Sequence, residues 1–189
     1  MCCVCSICSF SQGELGLTFG LSKDAKRAPN VFSTSNVVFA GQGFNLVLNY
    51  EDLFSKRFGY DLGVEYSRAK VFSDDYYKTI APSFPDFDNF SKRLGAKVGF
   101  FYAPIQRNKW TWKIAVLSNF YYDLQGIGIG NLGSNQLDEF NYGVTFMNKI
   151  KYEIKENVLI IATQSYDFYE ELSGDSNRTN FNFGVGYKF

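Results

Sequence analysis

A strict two-residue alternation of apolar and polar side chains runs through almost the whole chain and confines it to β-structure. The last ten residues, NFNFGVGYKF, set Phe181, Phe183, Val185, Tyr187 and Phe189 against Asn180, Asn182, Gly184, Gly186 and Lys188. Successive side chains of a strand point to opposite faces, so such a stretch presents one apolar and one polar row. The same pattern recurs in ELGLTFGLS, FNLVLNYE, FGYDLGVEYS, LGAKVGFFY, WTWKIAVLSNFYY, FNYGVTFMNKIKY and VLIIATQSYDFY, which makes eight strands. Brief connections at 54–57, 104–108 and 155–157 alternate with longer ones at 23–40, 73–91, 123–139 and 171–179. Short turns at one end and long loops at the other predict an all-β, eight-stranded antiparallel up-and-down barrel.

Two inverse barrels share that outline. A soluble lipocalin-type lipid carrier lines its lumen with apolar groups, whereas a membrane-spanning barrel turns them outward. Here the polar row holds Glu14, Glu51, Asp61, Glu65 and Asp167 together with Lys97, Lys113, Lys149, Lys151 and Lys188, and many glycines besides. Compact polar groups and glycines suit the narrow lumen of eight strands. The apolar row is nearly free of charge, and the chain is 19% aromatic. In water such a band would far exceed the few hundred Å² of exposed apolar patch that a monomer tolerates. In lipid it is at home, and closure gives each backbone donor an inter-strand partner. Tyr50, Tyr60, Tyr102, Trp110, Trp112 and Tyr152 gather near the short turns, as rings do at a bilayer interface. The expectation is therefore a transmembrane β-barrel with short periplasmic turns and longer extracellular loops.

Residues Phe183, Val185, Tyr187 and Phe189, alternating up to a final aromatic, resemble the C-terminal signal that the outer-membrane assembly machinery of bacteria recognises. Residues 13–189 as a whole resemble the OmpA/OmpX-like family, in particular the Bacteroidetes-type outer-membrane β-barrel or porin-like proteins. The uncharged opening MCCVCSICSFSQ holds all four cysteines. It reads as the hydrophobic and cleavage regions of a signal peptide, removed near Gln12, and its SFSQ ending resembles signal-peptide ends in the Bacteroidetes. The resemblance implies integral residence in the bacterial outer membrane and contact with its lipid and lipopolysaccharide. It further implies assembly by the dedicated machinery and a monomeric state.

Chemistry is sparse. The chain has no histidine, on which the enzymatic outer-membrane barrels rely for proton transfer, so an enzyme is not expected. Lysines and arginines match aspartates and glutamates at 19 each, leaving no net field for nucleic acid. Asp86, Asp88 and Asn89 could meet a cation, but their spacing suits a solvated loop better, and no cofactor or metal is expected. Gly126–Gly133 is glycine-dense yet lacks the strand–turn–helix context of a phosphate loop. The expected function is structural or adhesive, with a surface ligand met through the loops and a lumen filled by side chains. A narrow channel for ions or small solutes is the alternative, and a soluble lipid-binding barrel a third reading.

Overall fold

The computed structural model describes residues 13–29, 36–70, 90–125, 137–171 and 174–189. Residues 1–12, expected as a signal peptide, the Asp86–Asn89 cluster and the Gly126–Gly133 stretch lie outside these residues. Eight strands follow one another: β1 (Glu14–Pro29), β2 (Asn36–Leu53), β3 (Phe58–Lys70), β4 (Phe90–Arg107), β5 (Trp110–Gln125), β6 (Leu137–Lys155), β7 (Val158–Glu171) and β8 (Gly174–Lys188). Each pairs antiparallel with its sequence neighbours, and β8 returns to β1, so the sheet is a closed barrel. Leu17 lies opposite Leu48 on one side and Val185 on the other, which fixes the closure register.

The apolar row faces out on every strand. Phe19, Phe100, Phe140 and Phe183 are exposed, the last at 70%, whereas Glu65 and Asp167 on the other row are 0% exposed. A one-residue slip would exchange the two rows, so the register is strongly specified. The lumen is less polar than the alternation suggests. Phe101, Ala115 and Leu117 form a buried apolar cluster, with Leu53 and Met147 against it, and Leu159 and Ile161 also point inward.

Strand ends differ from expectation. Residues 23–29 and 36–40, expected in a loop, continue the β1–β2 ladder as far as Pro29↔Asn36. Residues 174–179 likewise belong to β8, and 123–125 and 137–139 to β5 and β6. Alternation marks a difference between the two faces; a ladder that has lost its apolar face can continue without it. Residues 104–107, expected as a turn, extend β4 past an irregularity between Tyr102 and Ile105. Pro104 sits in that irregularity, where its missing N–H breaks no ladder bond. The true turns are tight, and Asn108 (φ 53°) and Asn157 (φ 66°) supply the left-handed residue each needs.

Candidate functional site: the lumen

Inward-facing charges collect in two layers. Nearer the short turns, Glu14, Glu51 and Asp61 on β1, β2 and β3 meet Lys113 on β5 and Lys149 and Lys151 on β6. Lys113 Nζ lies 2.6 Å from Glu51 Oε2 and 3.1 Å from Glu14 Oε2. Lys151 reaches the same Glu51 oxygen at 2.7 Å and also pairs with Glu14. Lys149 joins Glu51 to Asp61, at 2.8 Å from the latter. Asn49 donates to Glu51 at 2.8 Å, and the Lys113 ammonium lies 4.3 Å from the Phe101 ring centroid. Three carboxylates thus face three ammonium groups above the apolar cluster, and all but Glu14 are almost wholly buried.

The second layer lies toward the loops. Lys97 Nζ bridges Glu65 (2.7 Å) and Asp167 (3.2 Å), and Arg178 reaches Glu65 at 3.4 Å and Ser67 at 2.7 Å. Asp167 also accepts hydrogen bonds from Thr145 (2.5 Å), Asn180 (3.0 Å) and Tyr121 (3.3 Å). Tyr121 fits because its partner on β4 is Gly95, where a Cβ would run into the ring. Between the layers lies a cavity of about 30 Å³ lined by Asn45, Asn182, Glu65, Lys97, Asp61 and Lys149. Such a volume admits about two water molecules and no solute. Among the described residues no group of His, Cys, Asp and Glu could hold a metal ion.

Nine of the ten expected lumen charges fall into these layers. The tenth, Lys188, does not: it sits half-buried at the short-turn rim, 2.8 Å from Glu153. Its Cα lies directly opposite that of Glu14, but its ammonium turns to Glu153 instead of joining the layer. Thr145 and Asn180 lie on the expected polar row and join the network, whereas Arg178 and Tyr121 are not marked by the alternation. Arg178 fell within a stretch read as loop, though stepping back by twos from Asn182 through Asn180 leads to it.

The expected interfacial aromatics lie on the outer wall at the short-turn end. Tyr50 packs against Tyr60 (6.1 Å between centroids) and Phe189 (6.2 Å), and Tyr102 against Phe58 (4.9 Å). Trp110 meets Tyr152 at 4.6 Å, and Trp112 is half-exposed opposite Ile105. In the terminal segment Phe183, Val185, Tyr187 and Phe189 all face outward, and the Phe189 N–H donates to the Gly13 carbonyl at 3.0 Å.

No protein-family model matches the chain, and no curated protein matches it. Solved structures match it over nearly its full length. Ail, the attachment invasion locus protein of Yersinia pestis, here in complex with the heparin analogue sucrose octasulfate, superposes with a TM-score of 0.53 at 13% identity, covering 94% of this chain and 99% of Ail. Neisserial surface protein A gives 0.56 at 13%, covering 92% and 97%. OprG of Pseudomonas aeruginosa gives 0.56 at 13%, covering 95% and 97%. The fold is that of an eight-stranded outer-membrane barrel. At such identities the likeness is one of fold, and the role follows from the chain's own residues.

Proposed function

We propose that the protein is an integral bacterial outer-membrane barrel that works as a closed scaffold, presenting its loops at the cell surface for a structural or adhesive role. The observation that carries this reading is the contrast between its two faces. A wall of exposed Leu, Phe, Val and Tyr requires acyl chains around it, while two neutralised ion-pair layers and an apolar cluster obstruct the lumen. Eight strands leave an interior that side chains fill. Glu14, Glu51, Asp61, Glu65 and Asp167 are each held by lysine or arginine, so none of these described lumen carboxylates is free for acid–base work.

The similar structures support the reading by their range: one is an attachment protein crystallised with a sulfated sugar, another a surface protein. Reconstitution into planar bilayers tests it. The folded protein should give no discrete conductance steps, and cell fractionation should recover it, heat-modifiable, with the outer membrane. Reproducible ion steps would favour the narrow-channel alternative instead. Recovery from cells without detergent would remove the membrane reading altogether.

A further inference from the structure

Each described short turn carries basic side chains on its outer edge: Lys56 and Arg57 between β2 and β3, Arg107 and Lys109 between β4 and β5, Lys155 between β6 and β7. All five are exposed. None is ion-paired with a carboxylate among the described residues, and Arg57 makes only a 3.5 Å contact with the Tyr102 hydroxyl. The acidic groups of this rim are mostly occupied. Glu153 pairs with Lys188, and Asp52 accepts from Tyr60 at 3.2 Å and Tyr50 at 3.5 Å, which leaves Glu156 as the exposed one.

Lys188 included, cations exceed acids here by three. The named groups of the two lumen layers balance one another, so among these described groups the excess belongs to the rim. The cations also sit at a particular level: Arg57 directly precedes Phe58, Lys109 precedes Trp110, and Lys155 follows Ile154, all outward-facing. They lie one step beyond the aromatic belt, where head groups begin and where lysine and arginine direct their charged ends. They are spread around the circumference over three turns, which matches an annulus of lipid better than the footprint of one protein.

We propose that this rim is a binding ring for the phosphates of anionic phospholipid in the leaflet on the short-turn side. The inference rests on the membrane-barrel reading above. The chain carries its own reporter, because both of its tryptophans, Trp110 and Trp112, lie at this end. The full chain is folded into phosphatidylcholine vesicles containing equal fractions of brominated phosphatidylcholine or brominated phosphatidylglycerol, and quenching of tryptophan fluorescence is compared.

The anionic lipid should quench several-fold more effectively, as expected for about 1 kcal/mol per basic residue near a charged surface. The preference should vanish at molar salt, where the screening length is about 3 Å. A variant with Lys56, Arg57, Arg107, Lys109 and Lys155 each changed to Gln should fold in neutral vesicles and show no preference. Should that variant fail to fold, the salt titration of the natural chain decides alone. Equal quenching by the two lipids in folded protein overturns the ring and leaves the barrel standing. A preference abolished by millimolar inorganic phosphate also overturns it, by assigning the site to a free anion. Absence of a heat-modifiable, quenchable form in any vesicle overturns the membrane reading first.

Discussion

Asp167 takes donors from Lys97, Thr145, Asn180 and Tyr121 while fully buried, and its worth depends on keeping its countercharge. Taking ions out of water costs several kcal/mol each, which only a complete set of partners offsets. Lys97→Met should therefore destabilise the barrel by about 3–5 kcal/mol, the usual cost of leaving a buried charge without its partner. Adding Asp167→Asn should recover part of that loss, because the two changes share one network. Urea unfolding in lipid vesicles, run as a double-mutant cycle, checks both; additive losses would mean that the two groups do not act together. Asn157 is sensitive for a different reason. Its left-handed φ of 66° costs a β-branched residue about 1–2 kcal/mol, so Asn157→Val should lower stability by that order while Asn157→Gly stays near the natural chain.

A single strand shows what alternation encodes. On β5, Val116 faces out at 50% exposure opposite Phe100 and Phe146, and its neighbour Ala115 faces in at 2%. That division was legible for all eight strands, because it is the burial of one face that the sequence pattern records. Where strands stop was not legible: residues 23–29 and 174–179 hold their ladders by backbone pairing, which leaves no mark in side-chain polarity. Arg178 escapes the alternation for that reason, and Lys188, opposite Glu14 in the ladder, turns to Glu153 at the rim, a choice of partner that alternation does not encode. Val116→Arg should cost about 2–4 kcal/mol if the residue lies near the bilayer midplane, whereas Val116→Leu should fold normally. Heat-shift electrophoresis of the two proteins folded into vesicles makes the comparison, and equal folded fractions would contradict the outward assignment. Deletion of Phe189 removes its stacking on Tyr50 and its bond to Gly13, and on the assembly-signal reading it should slow insertion in cells. Pulse–chase of the heat-modifiable form follows this directly.

At the scale of the molecule, the barrel and its connections perform separable tasks. Neighbouring strands hold one another through long ladders, irregular only near two of the short turns, and the two ion layers tie β1, β2 and β3 to β5 and β6, and β3 and β4 to β7 and β8, across the lumen. Stability should then be insensitive to what joins β5 to β6 at the loop end. The register supplies a clean test. Gln125 lies directly opposite Leu137, the geometry that a two-residue turn closes, and Asn-Gly is the pair most suited to it. Replacing residues 126–136 by Asn-Gly should leave the heat-modifiable form and its urea midpoint within about 1 kcal/mol, since loop-closure entropy changes slowly with length. If the loops carry the surface role, the same variant should lose adherence of expressing cells to host-cell or glycan-coated surfaces while its level in the outer membrane stays constant. Lost folding would show that this segment belongs to the scaffold, and unaltered adherence would move the function to the other connections or to the wall itself.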